Sequence, residues 1–213
     1  MSLLMSTQAE DHAIIVTDTL VVDGDNHPHS HRFKVWTLPH MNMVIAMTGT
    51  PEVGDYWYSH IVNSAGARDI EELNTVAAQS LREIQKHLER QYGDAGHSTV
   101  QHFGFPYGSD KLVRYSYGSK NDYEPEVFSG SRFNAKPVPP EFPLADPGTL
   151  DEMVELAVRL RDANREDPEG VPIGGDIFAT VISNWMIQTV RLGEFPDDNS
   201  WEIIRNNKGD TNV

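Results

Sequence analysis

Ala13-Ile14-Ile15-Val16-Thr17-Asp18, then Phe33-Lys34-Val35-Trp36, then Met43-Val44-Ile45-Ala46-Met47-Thr48-Gly49 is the succession that decides the fold. Apolar and β-branched residues dominate the pieces, as strands require. The third piece is apolar at every position from 43 to 47, so it should be buried on both faces. Leu20-Val21-Val22 continues the first strand, and Asp23-Gly24-Asp25-Asn26 is turn chemistry. Pro39-His40-Met41-Asn42 joins the second strand to the third. Upstream, residues 3–9 read as one more strand, turned at Glu10-Asp11-His12.

After Thr48-Gly49-Thr50 the apolar period becomes helical. Residues 51–65 read as a helix, with Pro51 tolerated in its first turn. Ile70, Leu73, Val76, Ala77, Leu81, Ile84 and Leu88 form one stripe of a second helix over residues 70–92, and Gly93 closes it. Strands return at 99–105, 111–117 and 126–128, with turn residues between them. Pro137, Pro139, Pro140, Pro143 and Pro147 keep residues 134–148 from being helical. Thr149 with Glu152 is a capping box that opens a third helix. Gly174-Gly175 precedes a last hairpin, 177–183 and 186–192, turning at Asn184-Trp185. Strands in runs, with helices segregated from them, argue for an α+β domain rather than an alternating fold.

A chain of 213 residues can bury one core of good size. Residues 1–195 are expected to form it, with 196–213 a peripheral acidic and polar tail. Thirty-two acidic residues against 17 basic ones give a net charge of -15, which repels phosphate backbones and disfavours a nucleic-acid partner. No apolar run is long enough to cross a bilayer, and no basic start followed by an apolar core opens the chain. No membrane partner is therefore expected. There is no cysteine, so disulfides and thiolate metal sites are excluded and a cytoplasmic location is the default.

Ser2, Asp18 and Lys34 stand sixteen and sixteen residues apart. Met47-Thr48-Gly49 ends an apolar strand just before the first helix. Ser129-Gly130-Ser131, Asp167 and Gly174-Gly175 follow in that order. Over residues 2 to 192 this set resembles the proteasome β-subunit branch of the N-terminal-nucleophile hydrolases. The resemblance implies a four-layer αββα sandwich of two antiparallel sheets. It implies an amidohydrolase, most plainly a peptidase, that takes a peptide or amide substrate and needs no cofactor or metal. It implies self-association as a homo-oligomer, a ring or stacked dimer, and leaves an unfoldase partner unknown.

The implied chemistry places the nucleophile at the first residue. A hydroxyl needs a base, and a terminal α-amine, with a pKa of about 7.7–8.0, titrates near working pH. Ser2 fills both roles only once Met1 is removed. Lys34 as a cation would favour the alkoxide, Asp18 would hold Lys34, and the Gly49 N–H would stabilise the oxyanion. Ser129 and Asp167 would lie near the amine and assist proton movement. Ser6 and Thr7 are alternative starts, but they break the spacing to Asp18.

Blander readings stand beside these. Ser2 is equally a disordered chain start, Asp18 an ordinary strand-end residue and Lys34 a surface lysine. Leu20, Ile173 and the proline-rich stretch depart from the family pattern, and they support a second reading: a non-catalytic structural or binding relative. His27, His29 and His31 alternate and could hold a metal, but a solvated hairpin loop is favoured and no metal is assigned. Trp36, Tyr56, Trp57 and Tyr58 read as packing residues.

Overall fold

The computed structural model describes residues 2–93 and 95–209. Its strands are β1 (Leu4–Gln8), β2 (His12–Asp18), β3 (Leu20–Val22), β4 (Pro28–His31), β5 (Val35–Leu38), β6 (Met43–Thr48), β7 (Thr99–Gly104), β8 (Val113–Gly118), β9 (Pro125–Ser129), β10 (Arg132–Lys136), β11 (Asp176–Ser183) and β12 (Met186–Glu194). Its helices are α1 (Pro51–His60), α2 (Ile70–Tyr92), α3 (Leu150–Glu166) and α4 (Ser200–Gly209). Two five-stranded sheets run in the orders β10-β1-β2-β11-β12 and β5-β6-β7-β8-β9, and every pairing is antiparallel.

β6 is buried along its whole length, as its unbroken apolar run requires. It sits between β5 and β7, with apolar neighbours on both faces. On one face Met43, Ile45 and Met47 join Leu73, Ala77 and Leu81 of α2 and Val53 and Trp57 of α1. On the other, Val44 and Ala46 meet Leu4, Ala13 and Ile15 of the first sheet. A third cluster joins Met5, Val16 and Ala179 to Met153, Leu156 and Leu160 of α3. At roughly 2 kcal/mol per fully buried aliphatic side chain, these clusters are the main favourable term of the fold.

α2 begins where Asp69 accepts a hydrogen bond from Glu72 N (2.9 Å), and Gly93 closes it at φ 88°. Val76, placed on its buried stripe from sequence, is exposed. It lies at the rim, because consecutive residues turn about 100° around the axis. α3 carries the capping box of Thr149 and Glu152.

The expected four-layer sandwich of two sheets is corrected to a mixed α+β fold with three antiparallel sheets and four helices among the described residues. The third sheet is the two-stranded ribbon β3–β4. Residues 20–22 do not continue β2. Thr19 breaks the ladder, because its Oγ1 accepts from Asp176 N (2.9 Å) and bonds His31 Nδ1 (3.0 Å). The chain then folds back, and Arg32 N donates to Thr19 O (2.9 Å).

α4 packs on this ribbon, with Trp201 stacked on His31 at 3.8 Å between ring centroids and Ser200 Oγ bonded to His31 Nε2 (3.1 Å). α4 had no apolar stripe to announce it. Ser200 and Ile204 are buried, and Trp201 and Glu202 are exposed. Residues 210–213 of the expected tail lie outside the described residues. No helix among the described residues is long and apolar enough to cross a membrane.

Candidate active site

Strand pairing brings distant residues together at one end of the two large sheets. β1 and β2 are antiparallel with Leu4 opposite Thr17, so the chain start lies beside the end of β2. Leu3 N accordingly donates to Asp18 Oδ1 (3.0 Å). The β3–β4 excursion returns the chain at Lys34, whose O accepts from Met47 N (3.1 Å) and so extends the β5–β6 ladder. Gly49 follows directly on β6. Ser2, Lys34 and Gly49 line one cavity of about 20 Å³ with Val21, Phe33 and Trp36.

Lys34 and Asp18 form a buried ion pair, Nζ to Oδ1 2.5 Å, at 6% and 0% residue exposure. Asp18 accepts three hydrogen bonds: from Leu3 N, from Lys34 Nζ, and on Oδ2 from Gly174 N (3.2 Å). Lys34 Nζ also donates to Leu20 O (2.7 Å). Burial raises the Asp18 carboxyl pKa against the pull of Lys34, and burial lowers the Lys34 ammonium pKa against the pull of Asp18. A fully enclosed pair is stabilising only when such additional bonds satisfy it, and here they do. Ser2 is likewise 6% exposed.

Gly49 has φ 105°, and a Cβ there would stand 2.0 Å from His97 O and 2.7 Å from Ser98 Cα. Only glycine fits this bend, which sets the chain at the cavity wall.

Ser129 and Asp167 are not brought to this cavity. Ser129 ends β9, is exposed and pairs with Val113. It is near the Gln8 end of β1, where Gln8 Nε2 donates to Phe128 O (3.3 Å). That end is six extended residues, about 20 Å, from Ser2. Asp167 follows α3, accepts from Glu169 N (2.9 Å) and lines a separate cavity with Asn164 and Asp198. The β10 residue that arrives beside the start of β1 is Lys136, paired with Leu4. β10 gave little strand signal, because it runs straight into the proline-rich stretch.

The Leu3 and Gly174 amides and the Leu20 carbonyl complete the ion pair, and only Gly174 had a sequence signal, in its Gly-Gly pair. Met1 lies outside the described residues. The three alternating histidines do not converge. His31 is held between Thr19 and Ser200, His27 N donates to Asp23, and no group of three metal-ligating side chains occurs among the described residues.

Comparison with known proteins bears on the fold. No family model matches the sequence, and no curated protein matches it. Solved structures do. The Anbu (Gly-1) mutant from Hyphomicrobium sp. strain MC1 superposes with a TM-score of 0.62 at 14% identity, covering 99% of this chain and 94% of that one. Anbu, described as the ancestral β-subunit, from Yersinia bercovieri gives 0.60 at 13% identity, covering 98% and 94%. Anbu from Pseudomonas aeruginosa, solved as a helical assembly, gives 0.62 at 12% identity, covering 98% and 92%. The expected placement in the proteasome β-subunit branch is corrected accordingly: the likeness found is to Anbu, and at such identity it is a likeness of fold.

Proposed function

We propose that this chain is an amidohydrolase of the N-terminal-nucleophile type, acting on peptide or related amide bonds. Met1 is removed, the Ser2 α-amine takes the proton of the Ser2 hydroxyl, and the hydroxyl oxygen attacks the substrate carbonyl. Lys34 steadies the developing alkoxide, Asp18 orients Lys34, and the Gly49 N–H faces the oxyanion. The amine then protonates the leaving nitrogen, and water resolves the ester by the reverse sequence.

The observation that carries this reading is the buried Lys34–Asp18 pair opening onto the cavity shared with Ser2 and Gly49. Burying a lysine is costly, and a bare structural role would be filled as well by apolar residues. The test is turnover of a fluorogenic peptide amide. Lys34→Ala is expected to lose at least about 100-fold in kcat/KM, the scale of one positioned proton-handling group. Lys34→Met combined with Asp18→Asn, which leaves no buried charge unpaired, serves as the folded control and should lose as much. Full activity in both variants would remove the proposal.

A second reading is a non-catalytic structural relative. It is favoured by Ile173, buried at 6%, where the family pattern has Ser, and by the distance of Ser129 from the cavity. Under it, the wild type turns over nothing and the lysine variants change stability alone. On either reading we propose self-association, as in the helical assembly described for the Anbu complex of Pseudomonas aeruginosa.

A further inference from the structure

Gly49 borders one cavity, and Thr48 just before it borders another. The one holding Ser2 and Lys34 is about 20 Å³ and walled by Phe33, Trp36 and Met47. The other is about 330 Å³ and lies past Thr48, between Ser98 and Thr99 at the start of β7 and Lys120, Glu126 and Lys136. Lys136 spans the two large sheets. Its backbone lies opposite Leu4, two residues from Ser2, while its Nζ donates to Thr99 Oγ1 (3.1 Å). The larger cavity is therefore near the start of β1, and Lys34 is not among its lining residues.

Its charge runs against that of the molecule. A chain with net charge -15 gathers two lysines here against Glu126 alone. Burial and the Lys120 ammonium lower the Lys136 pKa, and Glu126 opposes them without cancelling them. Neither ammonium has a carboxylate within ion-pair distance among the described residues. An anion seated between the two would remove that repulsion and gain charge-assisted hydrogen bonds.

We infer that the Lys120–Lys136 cavity is a subsite for a carboxylate carried by the leaving portion of the substrate. This inference rests on the amidohydrolase reading. There the leaving nitrogen takes its proton from the Ser2 amine, and Lys136 stands at the same end of β1 as that amine. Preferred substrates thus release a fragment ending in a free acid.

Two measurements on the full chain separate this inference from the reading beneath it. The first compares one acyl peptide joined to glycylglycine with the same peptide joined to glycylglycinamide. The acid should be preferred about 10-fold in kcat/KM, through KM, and the ratio should fall to near one in Lys120→Gln/Lys136→Gln. An acid placed on the acyl half and preferred equally would overturn the leaving-side assignment. The second is an amide-resolved NMR titration with N-acetylglycylglycine and with its carboxamide. Shifts at Ser98, Thr99, Lys120 and Lys136 with the acid alone sustain the subsite, and their absence overturns it. Turnover of neither substrate, with those shifts present, overturns the amidohydrolase reading instead.

Discussion

Lys34 and Arg114 are both buried cations, and they are held in opposite ways. Lys34, at the Ser2 end of β1, meets a carboxylate at 2.5 Å and a carbonyl at 2.7 Å. Arg114, on β8 and 2% exposed, has no carboxylate partner among the described residues. Its guanidinium donates to Ser6 Oγ (3.2 Å) and lies over Phe128 at 4.2 Å, and burial pushes its pKa down to about 10. Arginine keeps its charge under such conditions and spreads it over an aromatic face. Lysine is a compact charge whose proton affinity responds to its surroundings. The contrast teaches that Arg114 is held by packing over aromatic faces, while Lys34 is fixed by a directed ion pair at the cavity that Ser2 and Gly49 also line.

The largest expected effect breaks the first half of that contrast. Lys34→Ala leaves Asp18 buried without its cation and should cost about 3–5 kcal/mol, read as a shift of the urea midpoint. Replacing the whole pair, Asp18→Asn with Lys34→Met, should cost less than the single change. A double variant that loses more than the single would show that the pair itself holds the fold.

Next in size is Gly49→Ala. The added methyl meets His97 O and Ser98 Cα at a backbone angle that disfavours side chains, so a loss of about 3 kcal/mol is expected in thermal unfolding, together with loss of turnover. An unchanged melting temperature would mean that the strand end is free to move.

A third expectation concerns protons. His102 is enclosed, receives Trp57 Nε1 at 2.8 Å, and burial pulls its pKa down to about 3. In the unfolded chain it should titrate near 6.5. Between those values the unfolded state binds the extra proton, so stability falls as pH drops below about 6.5. From 6.5 to 5 this group alone should cost about 2 kcal/mol. His102→Leu should flatten the dependence measured by urea denaturation at several pH values, and an unchanged slope would assign it elsewhere.

The smallest effect belongs to Arg114. Arg114→Met removes a desolvated charge that no carboxylate compensates, so it should change stability by less than about 1.5 kcal/mol. A loss as large as that of Lys34→Ala would erase the contrast between the two cations.

Much of this arrangement was legible in the amino-acid order, for reasons that differ by element. β6 and α2 announce themselves by period, because burial on both faces or on one stripe leaves no freedom in residue choice. The spacing of Asp18 and Lys34 was visible, since Asp18 closes one short strand-like run and Lys34 opens the next. β4 and α4 were invisible. Pro28-His29-Ser30-His31 has no apolar alternation, and α4 is held by a histidine–tryptophan stack and by Asp198, which accepts from Ser200 N (2.7 Å). The position of Ser129 at the Gln8 end of β1 was not legible, because a Ser-Gly signal is local whereas its distance from Ser2 depends on the direction of β9 and the insertion of β10. Lys136 carried no signal at all, because its place is set by pairing with Leu4 across more than half the chain.

Everything proposed for this site turns on the first residue of the mature chain. The most direct measurement is intact and tandem mass spectrometry of the protein after exposure to a peptide epoxyketone, which needs a hydroxyl and a free α-amine on one residue. The expected result is a chain lacking Met1, with one adduct on Ser2 that is absent from Lys34→Met. A chain that retains Met1 in its native cells and takes up no adduct would contradict it.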